Sequence, residues 1–271
     1  MHTRQAFIDN FADLPELADF ANTAHWLSLR GWSEGAGGNM SVRIDRKITL
    51  LRDIPSDDYI QLPVHVPFLA DTLIYLTGSG TRTRETALNP TQDVGLYYIA
   101  KDGQSYCWLA GNSSPTSELP AHCAIHNALA EHRPDDKAIM HTHPANLISL
   151  CHVPELANSK AVSDKILRLQ SEARLHLPEG IGYVPHQIPG SLELGLASAK
   201  LVNVHRLVLW HMHGCLATGT SLAHAFDYME VFEKCARMYW TLRAAGIDPV
   251  GMKEEDIVKT LTEFGRLDRY T

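Results

Sequence analysis

The chain has 271 residues, of which 45% are apolar and 20% charged, a balance typical of a globular protein with a sizeable core. Its formal net charge of −7 gives no overall attraction for nucleic acid or for an anionic membrane surface, so we expect neither partner. No apolar run approaches the roughly 18 residues of a membrane span, and the N-terminus lacks a signal-peptide pattern. The 5 cysteines are widely spaced without a CxxC pair, which is typical of reduced residues in a cytoplasmic protein.

Hydrophobic periodicity predicts an amphipathic helix over about residues 9–29, because apolar side chains recur there three and four positions apart. Alternating apolar and polar residues predict a strand over 40–44. A buried strand over 73–76 leads into the segment Thr77-Gly78-Ser79-Gly80. Two further strands, near 96–100 and 106–108, flank Asp102-Gly103 and predict a hairpin.

The second half of the chain alternates between predicted helices and predicted strands. The helices are expected at 116–131, 191–204, 221–245 and 254–264, and the strands at 138–143 and 206–213. Strands separated by helices indicate a mixed α/β sheet. We find no repeat, low-complexity tract or linker. We therefore expect a single domain over residues 1–271, with an N-terminal helical portion of about residues 1–30 packed on it.

A first candidate metal motif is His141-Thr142-His143, at the end of a predicted strand. Side chains two apart on a strand point to one face, so these imidazoles can bind one metal ion with little backbone adjustment. The alternative is a chance pair or a hydrogen-bond network, and HxH occurs in several unrelated folds.

A second motif, His211-Met212-His213-Gly214, also ends a predicted strand, and either histidine could be a third ligand. Three neutral imidazoles with one open position describe a catalytic zinc site. Spacing alone does not choose between His211 and His213.

A third pair, His122 and His126, lies four apart on a predicted helix. No glutamate follows His122, so the HExxH pattern of metalloproteases is absent. We interpret this pair as packing residues or as supports for ligands.

Two glutamates and two glycine-rich segments have both structural and functional interpretations. Glu118 follows Thr116 and Ser117 at a predicted helix start, where a cap and an acidic first turn stabilise the helix. Glu172 has the pattern of a solvated surface residue. The segments 35–39 and 77–80, and the helix start near Ser117, can offer backbone N–H groups to an anion or form plain turns.

Taken together, the motifs resemble the class II aldolase/adducin family. The matching segments occur in family order and span most of the chain: GWSEGAGGNMSVR (31–43), LTGSG (76–80), SSPTSELPAH (113–122), IMHTHPANLISL (139–150), LPEGIGYVPHQIPG (177–190) and LVLWHMHGCLATG (207–219). The resemblance is strongest to the family's rhamnulose-phosphate branch. It implies a mixed, largely antiparallel central β-sheet flanked by helices.

The resemblance also implies roles for individual residues. It maps one Zn²⁺ per subunit onto His141, His143 and His213, the acid/base role onto Glu118, and a second active-site carboxylate onto Glu172. It maps phosphate binding onto Gly38, Asn39, Ser79, Gly80 and Ser117. Ala36 departs from the asparagine of some relatives, which weakens the phosphate assignments more than the metal assignments.

The implied activity is reversible, zinc-dependent cleavage of L-rhamnulose 1-phosphate to dihydroxyacetone phosphate and L-lactaldehyde, in L-rhamnose catabolism. A small sugar phosphate would be the only partner besides further copies of the chain, since the family tends to form homotetramers. Alternatives are a fuculose-phosphate aldolase, an epimerase or a dehydratase of the same fold, a non-enzymatic adducin-like assembly module, or an amidohydrolase-type zinc hydrolase.

Overall fold

The computed structural model describes residues 11–44 and 58–270. Nine strands in these ranges form one sheet: β1 (Asn39–Ile44), β2 (Ile60–Gln61), β3 (Thr72–Thr77), β4 (Val94–Ile99), β5 (Ser105–Gly111), β6 (Ala138–Thr142), β7 (Ile181–Val184), β8 (Leu207–Trp210) and β9 (Gly214–Gly219). Their order is β2-β5-β4-β3-β1-β6-β9-β8-β7. Every pairing is antiparallel except the parallel pair β7 and β8. This confirms the expected mixed, largely antiparallel sheet.

Helices connect the strands. They are α1 (Pro15–Arg30), α2 (Thr83–Thr86), α3 (Pro90–Asp93), α4 (Leu119–His132), α5 (Ala145–Leu150), α6 (Ser159–Ile166), α7 (Ser171–His176), α8 (Leu192–Leu201), α9 (Leu222–Ala244) and α10 (Glu254–Glu263). None of these helices, within the described ranges, is long and apolar enough to cross a membrane.

Helices cover both faces of the sheet because alternate side chains on the central strands point to opposite sides. On β6, Met140 packs in a core with Met229 and Phe232 of α9. Its neighbour Ile139 packs in a second core with Ile125 of α4. The α9 side also receives α1, whose buried residues Leu17, Phe20, Ala24 and Leu27 recur at helical spacing. The sheet end that carries the histidines is therefore held from both sides.

Several predicted elements are confirmed, with small changes at their ends. Helix α1 begins at Pro15, whose missing N–H suits a first turn, and ends at Gly31 with φ 67°. The first two residues of the predicted helix lie outside the described residues. The helices expected from Ser191 and from Ser221 are α8 and α9, and both serines cap their helices through their side chains. Strands β4 and β5 form the predicted hairpin around Asp102-Gly103.

Two sequence predictions are wrong in detail. Helix α4 begins at Leu119 and has no side-chain cap from Thr116 or Ser117, because Glu118 itself takes the capping position. The strand predicted over 206–213 stops at Trp210, and the chain turns through Met212, whose φ is 51°, into β9. The two histidines of this segment therefore lie in a turn and do not share a strand face. Helices α2, α3 and α5 to α7, and strands β2, β7 and β9, were not predicted.

Candidate metal centre and active site

The candidate site lies at one end of the sheet, where distant segments of the chain meet. Strand β6 pairs with β1 and β9, so that His141 stands opposite Asn39 and Leu216. Because these neighbours run antiparallel, the end of β6 lies beside the starts of β1 and β9. The end of β3 joins the same edge, since the Thr77 hydroxyl accepts the N–H of Met40 at 3.1 Å.

Three histidines converge at this edge. His141 is the penultimate residue of β6, His143 is the first residue beyond the strand, and His213 lies in the turn before β9. One side-chain nitrogen from each lies within 4.8 Å of the others, the only cluster of metal-ligating type among the described residues. The Nε2 atoms of His141 and His143 are 3.1 Å apart. The other histidine of the second motif, His211, is hydrogen bonded to the hydroxyl of Tyr183 and is not in the cluster.

The hydrogen-bond partners of two rings orient their free nitrogens towards the centre of the trio. Nδ1 of His141 lies 3.2 Å from the carbonyl oxygen of Cys215, and Nδ1 of His143 lies 2.9 Å from Oε1 of Glu34. Both partners are acceptors, so each Nδ1 carries the proton and each Nε2 keeps a lone pair. The backbone N–H of His143 donates to the carbonyl of Trp32 at 2.7 Å and fixes the chain there.

Burial keeps His141 and His213 neutral. Desolvation, reinforced by the neighbouring imidazoles, lowers the pKa of His141 well below its ordinary value. Desolvation and His143 lower the pKa of His213 to about 4. Near neutral pH both rings therefore offer lone pairs and not additional N–H groups.

Glycines allow the backbone to approach the rings closely. A Cβ on Gly37 would lie 2.8 Å from Cε1 of His143, and a Cβ on Gly214 would lie 2.7 Å from Cε1 of His141. The Gly214 position is also 2.6 Å from the carbonyl oxygen of Thr142, which cannot move without disturbing β6. These two positions exclude any side chain, so the glycines shape the pocket around the imidazoles.

Glu118 is a buried carboxylate beside the trio, whereas Glu34, which contacts His143, is exposed. Glu118 is 6% exposed, and its Oε1 lies 3.9 Å from Nε2 of His213. Its Oε2 accepts a hydrogen bond of 3.0 Å from Nδ2 of Asn39. Burial raises the pKa of Glu118, although Asn39 and the nearby His143 lower it in part. A carboxyl with a raised pKa beside three imidazoles has the properties of a proton donor and acceptor.

The residues expected to bind phosphate come from three segments that the structure brings together. Gly78 forms a bridge with Pro115, and the N–H of Thr116 donates to the carbonyl of Thr77 at 3.1 Å, so the loops 77–80 and 113–118 lie side by side. Ser79, Gly80 and Ser117 are exposed, whereas Gly38 is half-buried and Asn39 is buried. Both amide hydrogens of Asn39 are directed within the protein, towards Glu118 and Thr116.

Glu172 lies apart from the trio. It is exposed at the start of α7 and accepts a hydrogen bond of 2.7 Å from Nε2 of Gln170. It lines a cavity of about 600 Å³ together with Trp32 and Asn146. The carbonyl of Trp32 accepts the backbone N–H of His143, and Asn146 follows His143 by three positions in the chain. The histidine trio and Glu118 do not line this cavity, so the structure does not bring Glu172 together with them.

The contacts of two further groups of residues near the site were not predicted from the sequence. Glu34, the hydrogen-bond partner of His143, was not singled out, although its place beside the glycine-rich segment offered a signal. His122 and His126 are fully buried and, like Ser41, lie behind Asn39. This is consistent with the interpretation that they are not ligands.

A mixed, mostly antiparallel α/β sheet carries at one edge a histidine trio that could hold a metal ion, with a buried glutamate beside it. The model of the Class II Aldolase and Adducin N-terminal domain family matches residues 18–240. The chain therefore belongs to the class II aldolase and adducin family, which confirms the resemblance seen in the sequence.

Individual relatives are consistent with this membership. A rhamnulose-1-phosphate aldolase of Bacteroides thetaiotaomicron is 30% identical over 252 residues, covering 92% of this chain and 94% of the relative. A rhamnulose-1-phosphate aldolase of Escherichia coli is 35% identical over 253 residues, covering 90% of this chain and 91% of the relative. The solved structure of a sugar-phosphate aldolase from Thermotoga maritima superposes with a TM-score of 0.74 and 31% identity over 87% of this chain and 98% of that one. Family, relatives and fold together support a class II aldolase, a lyase.

Proposed function

We propose that this chain is a zinc-dependent aldolase that reversibly cleaves L-rhamnulose 1-phosphate to dihydroxyacetone phosphate and L-lactaldehyde. The observation that carries the proposal is the convergence of His141, His143 and His213 within 4.8 Å, with the buried Glu118 beside them. The named relatives, at 30% and 35% identity over most of the chain, support the choice of substrate.

The donor set fits a zinc ion. Tetrahedral zinc with Zn–N distances of about 2.0–2.1 Å separates two nitrogen ligands by roughly 3.3 Å. The observed separation of the His141 and His143 Nε2 atoms is 3.1 Å. Since the ring protons are on Nδ1, two lone pairs face each other at this distance, an arrangement that a cation stabilises. Bound zinc would act as a Lewis acid that stabilises the negative charge left on the ketone fragment when the carbon–carbon bond breaks.

We assign the proton transfers to the two glutamates. When the C3–C4 bond breaks, the electron pair remains on C3 and the C4 hydroxyl loses its proton as the aldehyde forms. Glu118 would deliver a proton to C3, and would remove it in the reverse direction; its raised pKa supports this role. We assign the C4 hydroxyl proton to Glu172, which lines a cavity together with Trp32 and Asn146.

We assign phosphate binding mainly to Gly38, Ser79, Gly80 and Ser117. The hydroxyls of Ser79 and Ser117 are exposed on adjoining loops. The side chain of Asn39 has both amide hydrogens engaged, so we give it a smaller share of the phosphate contacts. Holding the phosphate would orient the ketone fragment and lower the barrier by positioning. The single domain, the homotetramer, the cytoplasmic location and one zinc per subunit stay predictions.

The test is an assay of dihydroxyacetone phosphate release from a panel of ketose 1-phosphates, before and after metal removal. We expect L-rhamnulose 1-phosphate to be cleaved fastest, activity to disappear with a chelator, and added zinc to restore it. Preference for L-fuculose 1-phosphate would redirect the substrate assignment within the family. Full activity without metal would refute the zinc role, and failure to hold stoichiometric metal would favour an adducin-like assembly module.

A further inference from the structure

A continuous line of hydrogen bonds runs from the interior of α4 to the carboxylate of Glu118. His126 Nε2 lies 2.8 Å from the Ser41 hydroxyl, which lies 2.6 Å from His122 Nδ1. His122 Nε2 lies 2.5 Å from Oδ1 of Asn39, whose Nδ2 donates to Glu118 at 3.0 Å. None of the histidines in this line belongs to the metal trio.

The partners determine the direction of every bond in the line. The Glu118 carboxylate is an acceptor, so the Nδ2 end of the Asn39 amide faces it and the Oδ1 end faces His122. His122 must then carry its proton on Nε2 and accept the Ser41 hydroxyl proton at Nδ1. Ser41 has only that one hydrogen to donate, so it accepts from Nε2 of His126. The bonds therefore all point the same way, from His126 to Glu118.

The far end of the line agrees with this direction. Nδ1 of His126 has no hydrogen-bond partner in the described part of the chain. With the proton on Nε2, that atom is an unpaired acceptor, which is better tolerated in a protein interior than an unpaired N–H. His122 is 2% exposed and His126 0%, and desolvation lowers the pKa of His122 to about 3. Both rings stay neutral, so the line does not reverse or gain charge near neutral pH.

We propose that His122, held by Ser41 and His126, is a positioning residue that sets the orientation of the Asn39 amide and thereby the oxygen of Glu118 that faces the histidine trio. The inference rests on the proposed acid/base role of Glu118. With Oε2 held by Asn39, Oε1 is the oxygen directed at His213. A reversed amide would place Oδ1 against the carboxylate, and the repulsion would turn Glu118 away from the site.

A matched pair of variants separates this role from simple packing. His122→Gln and His122→Met introduce side chains of similar length and volume, but only glutamine can donate a hydrogen bond at the position of Nε2. We expect His122→Met to lower kcat at least about tenfold with KM and zinc content little changed. His122→Gln should recover most of that loss. Equal kcat values in the two variants, or a wild-type kcat in His122→Met, would overturn the proposal.

A second readout does not depend on turnover. Crystal structures of the zinc-loaded variants should keep the Asn39–Glu118 contact in His122→Gln and lose it in His122→Met. An intact contact in His122→Met would refute the positioning role even if no tested sugar phosphate is cleaved. Absence of cleavage by the wild type would count against the proposed function alone, since the structural comparison still decides the role of His122.

Ser41→Ala provides a further test if His122→Met does not fold. It removes the donor to His122 but keeps the His122–Asn39 contact, so we expect a fall in kcat of about threefold, smaller than the loss on changing His122. Ser41→Thr retains the hydroxyl on a strand position that favours β-branched residues and should restore turnover. An alanine variant with unchanged kcat and an unchanged Asn39–Glu118 contact would show that the line has no influence on Glu118.

Discussion

Strands β6 and β8 begin beside charged residues and end beside histidines, and the two ends are built on different principles. At the beginning, Asp136 and Arg206 precede the strands and join an ion-pair network with Arg133, Glu179 and Arg269. Glu179 is bonded to Arg206 at 3.0 Å and to Arg269 at 2.7 Å. Each buried charge in this network has an opposite partner.

At the other end, three imidazoles face each other without an opposite charge at their centre, and Glu118 lies to one side. Ion pairs satisfy the charges at the first end within the chain, whereas the imidazoles at the second end would be satisfied by a bound cation. Substitutions at the first end should therefore reduce stability and leave activity unchanged. Substitutions at the second end should reduce activity and leave stability unchanged.

The largest effect is expected from His213→Ala. It removes one of the three proposed ligands from a half-buried turn, so zinc should be lost and kcat should fall at least about a thousandfold, while the melting temperature of the metal-free protein changes little. Metal content and turnover measure this. His211→Ala, from the same turn, is the matched control and should keep its zinc content and its turnover. Loss of zinc in this control would contradict our choice of His213 as the ligand.

Glu118→Gln should follow in size. The amide cannot exchange protons as a carboxyl does, so kcat should fall at least about a hundredfold while zinc remains bound. Steady-state kinetics and metal analysis of the same preparation test this. Glu131→Gln, an exposed change on the same helix, serves as the control. Normal turnover by Glu118→Gln would show that another group moves the proton.

At the ion-pair end, Glu179→Gln should lower the free energy of unfolding by about 2 kcal/mol. This is less than the 3–5 kcal/mol for breaking a fully buried pair, because Arg206 keeps Asp136 and is partly exposed. Urea unfolding measures the loss, and Glu193→Gln, an exposed change on α8, should have no effect. Turnover at 25 °C should stay at the wild-type level. A large loss of activity with unchanged stability would contradict the structural role that we assign to this ion-pair network.

The smallest effect concerns pH. His122 has a pKa of about 3 in the folded chain and an ordinary value near 6.5 when unfolded, so the unfolded chain binds the extra proton as the pH falls below 6.5. The stability that His122 contributes is thus present above pH 6.5 and lost progressively towards pH 3. Between pH 6.5 and 5.5 the loss is about 1 kcal/mol. The unfolding free energy of His122→Gln should vary less over this interval, and identical pH profiles would contradict the assignment.

Much of the fold was accessible from the sequence because its signals are local. The caps Ser191 and Ser221, the stop at Gly31 and the Asp102-Gly103 turn each act within a few residues. The turn at Met212 was not accessible, since a non-glycine residue with φ 51° has no local signature. Helices α5 and α7 have only 6 residues each, too few to establish a period.

The site was accessible only in part, for the same reason. The spacing of His141 and His143 is visible along one strand, but the choice between His211 and His213 depends on the turn that directs one towards Tyr183 and the other towards the trio. The surroundings of Glu118 depend on Asn39, which is 79 positions away in the chain. Contacts over such separations come from the sheet order, which one sequence does not specify.

The order of the sheet also affects biosynthesis. β6 lies between β1 and β9, and His213 follows His143 by 70 positions (213 minus 143). At about 5–20 residues per second, the ribosome needs several seconds to add the last histidine after the first two. A nascent or prematurely ended chain that stops before His213 has only two of the three proposed ligands and lacks strand β9, which pairs with β6. If the trio binds zinc as proposed, the complete site forms only after synthesis has passed His213, and bound metal would then report that this part of the chain has been made.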